Sequence, residues 1–268
     1  MIEIKDLYKR FGSNEVLRGV NLTIHDGETM VIIGRSGCGK SVLLKHIIGL
    51  LEPDKGEIYI EGHNIVDMKE KEIYELRKKF GFLFQGAALF DSMSVGENVG
   101  LALKENTNMS KDEIARVVED KLETVGLSGI EEMRPADLSG GMKKRVSLAR
   151  SLATDPEYIL YDEPTTGLDP VMSDQIDDLI KELADKLKVT SIVVTHDIFS
   201  VYDVADRVAM MHEGKIYFVG TPKELVETDD KLIRDFLHRT DKSLEIEELK
   251  EEADEERAER EKAQHSDK

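Results

Sequence analysis

The eight residues Gly34-Arg35-Ser36-Gly37-Cys38-Gly39-Lys40-Ser41 constrain this chain more than any other feature. They fit the spacing GxxxxGK[ST] and stand between a run of apolar strand formers, 29–33, and an apolar helical run, 40–48. In that setting the glycines let the backbone wrap tightly. Successive N–H groups and the start of the following helix then point at phosphate oxygens, while Lys40 adds positive charge. Ser41 is placed to ligate Mg²⁺. Cys38, at a variable position of the loop, reads as a small space-filler whose thiol pKa the nearby N–H groups would lower.

A strand that feeds such a turn and then a helix belongs in a parallel sheet with crossover helices, and the rest of the chain supplies one. Strand-like runs at 80–84, 158–161 and 191–195 alternate with helical ones such as 171–187. Shorter alternating runs near 2–8, 17–24 and 56–60 have glycine-containing connections and read as antiparallel. Between 110 and 150, Ile114, Val117, Val118, Leu122 and Val125 recur at helical spacing, which marks a helical insert. Further on, Glu213-Gly214 separates two strand-like runs as a hairpin turn, and Thr221-Pro222 starts a short helix.

Composition excludes several classes. The 268 residues suffice for a packed core without disulfides, and the single cysteine permits no intrachain bridge. The formal net charge of -18 argues against nucleic acid as a partner, because that role needs a basic footprint. Two stretches hold most of that acidity: 157–185, with nine acidic residues and one basic, and 241–268, with twelve acidic and six basic. The second has almost no large apolar residues and reads as an acidic extension without a core, helical or disordered. No apolar run reaches membrane-spanning length, and residues 1–6 alternate like a strand, so neither a membrane span nor an export leader is expected.

The run Tyr158-Ile159-Leu160-Tyr161-Asp162-Glu163-Pro164 is an apolar strand ending in two carboxylates, at the edge where an open α/β sheet places its chemistry. Strand alternation would send Asp162 and Glu163 in different directions, Asp162 toward a Mg²⁺ hydration shell and Glu163 toward an attacking water. Leu138-Ser139-Gly140-Gly141-Met142 precedes an apolar helical run and presents N–H groups as a second anion site. One nucleotide does not need two such sites from one chain.

This combination, with His196 after a strand, resembles the ATP-binding-cassette (ABC) ATPases over about residues 2–220. The resemblance implies an α/β P-loop fold over 1–240, with a RecA-like parallel sheet, an antiparallel β subdomain and an α-helical subdomain at about 86–155. It implies ATP with Mg²⁺, and a head-to-tail homodimer in which Ser139, Gly140 and Gly141 of one subunit close over nucleotide held by the other. Phe11 matches the aromatic that stacks on adenine, and Gln85 the glutamine that senses Mg²⁺ and the attacking water. Asp169, in Gly167-Leu168-Asp169, matches the residue at the dimer contact, and His196 the switch histidine that contacts the γ-phosphate. Met142 departs from the family's glutamine and cannot make its hydrogen bonds.

Residues 82–99, from Phe82-Leu83-Phe84-Gln85-Gly86-Ala87-Ala88-Leu89-Phe90 through Asp91-Ser92-Met93 to Val99, are similar to the "FQxGALFDSMxVxENV" stretch of ATPases serving MCE-type (mammalian cell entry) lipid transporters, the Mla phospholipid systems among them. Ala87 stands where that pattern has glycine. The resemblance implies a permease as membrane partner, a periplasmic MCE lipid-binding protein, a small STAS-like cytoplasmic protein, and a place on the cytoplasmic face of an inner membrane. Leu89, Phe90 and Met93 are either a groove for a permease helix or core of the helical insert. Three other readings stay open: the ATPase of a small-solute importer, a soluble ABC protein of DNA repair or translation, and a regulatory module without turnover. Glu163 and His196 favour hydrolysis.

Overall fold

The computed structural model describes residues 1–240; the acidic stretch 241–268 lies outside the described residues. In chain order, the first elements are β1 (Ile2–Phe11), β2 (Asn14–Ile24), β3 (Thr29–Ile33), α1 (Lys40–Ile47), β4 (Lys55–Ile60), β5 (His63–Asn64), α2 (Glu70–Arg77) and β6 (Phe80–Leu83). Three helices follow: α3 (Val95–Asn106), α4 (Lys111–Thr124) and α5 (Gly140–Leu152). The chain then returns to sheet with β7 (Tyr158–Asp162), α6 (Pro170–Leu187), β8 (Thr190–Val194), α7 (Ile198–Val204), β9 (Arg207–His212) and β10 (Lys215–Gly220), and ends with α8 (Pro222–Glu227) and α9 (Lys231–Thr240). Met1–Pro222 forms one compact unit and a second begins at Lys223. Within the second, Asp230 caps α9 by accepting hydrogen bonds from the Leu232 and Ile233 N–H groups.

Six strands form one sheet in the order β10-β9-β3-β8-β7-β6. All pairings are parallel except β10 against β9. Every residue of β3, β7 and β8 is buried, as expected of parallel strands covered on both faces. The order β2-β1-β4-β5 makes a second, antiparallel sheet, whose alternating burial leaves one face for the core. One apolar cluster runs from Ile2, Ile4, Val20 and Ile58 of that sheet through Leu43, Leu44 and Ile47 of α1 to Ile32, Leu160 and Ile192 of the parallel sheet.

Two consequences position the site. The C-terminal ends of β3, β8, β7 and β6 lie side by side, so the loops starting at Gly34, Thr195, Glu163 and Phe84 share one edge. Helix α5 also crosses β6 at backbone distance: a Cβ on Gly81 would lie 2.7 Å from the Ser151 carbonyl oxygen. That close approach brings the polar face of α5 against the loop that follows β6.

Candidate nucleotide site

The phosphate-binding loop takes its shape from two crowded glycines. A Cβ on Gly34 would stand 2.5 Å from the Met211 carbonyl oxygen, and one on Gly39 would meet Leu17 Cδ2 at 2.9 Å, with both residues at positive φ. Gly39 is the N-cap of α1 and makes no side-chain cap bond, and the first turn holds no acidic residue. No carboxylate neutralises the first turn of α1, so its positive end faces the loop, the arrangement that binds an anion, and the Lys40 N–H meets the Cys38 thiol there. Buried Lys40 crosses the loop, its Nζ donating to the Gly34 carbonyl at 2.8 Å. Arg35, Ser36 and Gly37 are exposed at its rim. Burial pushes the Cys38 thiol pKa up, with the Lys40 charge and backbone N–H groups opposing. The downward shift anticipated from the N–H groups alone is thus reversed, because desolvation of a thiolate outweighs them.

At the end of β7, Ser41 Oγ donates to Asp162 Oδ1 at 2.7 Å. A hydroxyl and a carboxylate side by side are hard oxygen donors, the set a Mg²⁺ ion takes. Glu163 is set apart from Asp162 by backbone and not by strand alternation: β7 stops at Asp162, and Glu163 adopts φ 53, the left-handed region. Its N–H donates to the Val194 carbonyl at 2.8 Å. The kink directs the carboxylate to three partners. Oε2 accepts from Thr166 Oγ1 at 3.0 Å and from His196 Nδ1 at 2.7 Å, and Oε1 lies 3.7 Å from Lys40 Nζ. The carboxylate is an acceptor, so His196 carries its proton on Nδ1. The histidine side chain is 58% exposed and the glutamate 12%, so the pair joins a largely covered carboxylate to a solvent-facing ring.

Lys40, Ser41, Asp162, Glu163 and His196 thus form one connected group. Phe11, at the end of β1, is 46% exposed and has the Lys9 ammonium 5.6 Å from its ring centroid, so it is not a core phenylalanine. Gln85 is exposed, and its carbonyl accepts from Lys144 Nζ. Ser139 caps α5, accepting from the Met142 N–H at 3.3 Å. The residue that departs from glutamine therefore still serves the motif through its backbone. Gly140 and Gly141 lie against Leu168 and Met172, and Asp169 caps α6 by accepting from the Met172 N–H at 3.1 Å. Among the described residues, no hydrogen bond or ion pair joins Ser139–Gly141 or Asp169 to the Lys40–Glu163 group; Ser139, Gly140 and Asp169 form a second, separate exposed face, with Gly141 buried behind it.

Three contributors escaped the sequence reading. Lys144 is buried and donates to the carbonyls of both Gln85 and Glu163. Burial pulls its pKa down while Asp162 and Glu163 push it back. Thr166 holds the Glu163 carboxylate. Asn98, fully buried in α3, accepts from the Phe90 N–H at 2.8 Å and donates to the carbonyls of Phe90 and Ser94, so it fixes the 90–94 turn. Phe90 is then presented 50% exposed, while Leu89 and Met93 are half-buried.

A glycine-rich loop wrapped over a helix start, with a hydroxyl–carboxylate pair and a second carboxylate at the adjoining strand end, defines a P-loop nucleotide-binding protein of the α/β class. The ABC transporter family model matches residues 17–166. The chain is 42% identical over 237 residues to the "Probable ribonucleotide transport ATP-binding protein mkl" of Mycobacterium leprae, covering 88% of this chain and 68% of that protein. It spans 66% of the length of the corresponding Mycobacterium tuberculosis protein. It is 40% identical to the "Intermembrane phospholipid transport system ATP-binding protein MlaF" of Haemophilus influenzae, covering 88% of this chain and 90% of that one. Among solved structures, the ATP-binding cassette MJ0796, a dimer in a post-hydrolysis state bound to ADP and Pi, superposes with a TM-score of 0.77 at 33% identity, covering 83% of this chain and 99% of that one. The chain belongs to the ABC transporter family, as one of its ATP-binding, ATP-hydrolysing subunits.

Proposed function

We propose that residues 34–41 hold the phosphates of ATP and that Glu163 activates the attacking water. The observation that carries this is the Glu163 carboxylate fixed by Thr166 and His196 within reach of Lys40. Backbone N–H groups at the start of α1 and the Lys40 ammonium bind the phosphate oxygens, and Phe11 stacks on the base. Glu163 accepts a proton from water while His196, protonated on Nδ1, keeps the carboxylate oriented and faces the γ-phosphate. Ser41, Asp162 and Gln85 hold a Mg²⁺ ion arriving with ATP, which when bound neutralises phosphate charge. A second copy supplies Ser139, Gly140, Gly141 and Asp169 to complete each site. Support comes from the exposure of Ser139, Gly140 and Asp169, their separation from the Lys40–Glu163 group, and the dimeric form of the ADP- and Pi-bound cassette.

The cycle of dimer closure drives phospholipid movement through a separate permease, whose cytoplasmic helix docks at Leu89, Phe90 and Met93. Among the described residues no helix is long and apolar enough to cross a membrane. The phospholipid reading rests on MlaF, whose length this chain matches nearly in full, and on the 82–99 segment. In that reading the subunit sits peripherally on the cytoplasmic face of an inner membrane, with an MCE lipid-binding protein and a small STAS-like protein as further partners. A small-solute cargo is the second reading, favoured by the ribonucleotide named for the mycobacterial relative. Affinity purification from native membranes separates the two. Co-purification of an MCE protein is the expected result, and a periplasmic solute-binding protein in its place would overturn the lipid reading.

A further inference from the structure

Helix α5 meets the nucleotide site along one polar ridge. Lys144, Ser147 and Arg150, each three residues from the next, donate to the carbonyls of one loop. Lys144 reaches that of Gln85, Ser147 that of Ala87 at 2.8 Å, and Arg150 those of Ala87 at 3.0 Å and Ala88 at 2.7 Å. The loop needs holding, because Ala87 and Ala88 are consecutive non-glycine residues at φ 60 and 49. Only the first member of the ridge also reaches the catalytic side. Lys144 Nζ donates to the Glu163 carbonyl at 3.2 Å, and Glu163 is itself left-handed. The Glu163 backbone is thereby fixed at both ends, its N–H by Val194 and its carbonyl by Lys144 together with the Thr166 N–H at 3.3 Å. Helix α5 begins at Gly140, four residues before Lys144 and directly after the exposed Ser139 cap.

We propose that Lys144 is a positioning residue for hydrolysis: its buried ammonium ties the Gln85 and Glu163 carbonyls to α5, so that the helix headed by Ser139 sets the aim of the Glu163 carboxylate. The proposal rests on the assignment of Glu163 as base. It places a mechanical link between the two faces of one protomer. A load on the N-terminus of α5, such as a nucleotide held there for a second copy, is felt first at the two residues expected to face the attacking water. Lys144 touches neither nucleotide nor water in this scheme. Its loss acts on turnover through Glu163 and leaves the phosphate loop, which it does not contact, unaltered.

Lys144→Met, in the full chain, removes the donors and keeps most of the volume. Phosphate release should fall about tenfold to a hundredfold, the consequence of losing a charged donor shared by two loop carbonyls. ATP affinity by calorimetry and KM should stay within about threefold. Lys144→Arg, which keeps charge and N–H donors, should recover turnover to within about threefold of wild type. If the methionine variant does not fold, Lys144→Gln, with its uncharged and shorter donor, reads the same split. Unchanged turnover in Lys144→Met, or a turnover loss matched by an equal loss of ATP affinity, would overturn the assignment. A wild-type chain that releases no phosphate overturns the hydrolysis reading itself, an outcome distinct from either.

Discussion

Asp177 lies in α6, buried, with Ser200 Oγ of α7 donating to its Oδ2 at 2.7 Å and its Oδ1 without a partner. Burial pushes its pKa from 3.8 up to about 7, against the Ser200 hydrogen bond and aided by the carboxylates of Asp197, Asp203 and Asp174. The folded chain therefore holds this proton more tightly than the unfolded chain. The destabilisation is absent below about pH 4, grows as pH rises and is complete above about pH 7. At about 1.36 kcal/mol per unit, it comes to about 4 kcal/mol at pH ~8 and about 1.5 kcal/mol at pH ~5. Asp177→Asn abolishes the ionisation but leaves an amide N–H₂ where Oδ1 stood, a cost of about 1–3 kcal/mol at every pH. The constant cost cancels in a difference. Urea denaturation of both proteins at the two pH values should show the stability of the variant relative to wild type improving by about 2.5 kcal/mol from pH ~5 to pH ~8. A relative stability constant within about 0.5 kcal/mol would refute the reasoning and mean that Asp177 ionises in the fold as it does in water. The bond matters because α6 begins just after Asp169 and α7 just after His196, so Asp177 and Ser200 join the helices that follow both.

Three further outcomes follow from the geometry. Lys40→Ala should weaken ATP binding about tenfold to a hundredfold by calorimetry, since it deletes a charged donor to phosphate; unchanged affinity would contradict the loop assignment. Phe11→Ala should raise the Kd for ATP about tenfold while moving the melting temperature by no more than about 2 °C, because the ring is exposed. A large loss of stability would mean that Phe11 is a packing residue after all. Gly81→Ala would place a Cβ 2.7 Å from the Ser151 carbonyl oxygen and should destabilise the fold by about 1–3 kcal/mol in denaturant melts; a neutral substitution would mean that α5 can back away from β6.

How much was legible in advance depended on whether the cause is local. The phosphate loop, the strand before it and the helix after it are dictated by neighbouring residues, and the structure starts α1 at Lys40 as the sequence indicates. The same holds for the hairpin turn at Glu213-Gly214, where both residues take positive φ. Other features depend on what the fold brings alongside. Alternation along β7 gave the right separation of Asp162 and Glu163 for the wrong reason, because the strand ends one residue earlier and a left-handed kink does the work. The direction of the Cys38 shift was misjudged because N–H groups can be counted in a sequence and burial cannot. Lys144 carries no signal of its own in the sequence; the approach of α5 to β6 buries it. The Ser139 and Asp169 motifs were legible as motifs, and a single chain leaves them apart from the Lys40–Glu163 group because their proposed counterpart is a second copy.

The account turns on Glu163 as the base that activates water. Its most direct test compares phosphate release, ATP affinity and solution mass for wild type and Glu163→Gln with Mg²⁺ and ATP. A positioned base contributes about a hundredfold to ten-thousandfold. The account predicts at least the lower figure as lost phosphate release, ATP affinity within about threefold, and accumulation of the variant at twice the monomer mass. A Glu163→Gln protein that releases phosphate at the wild-type rate would contradict it.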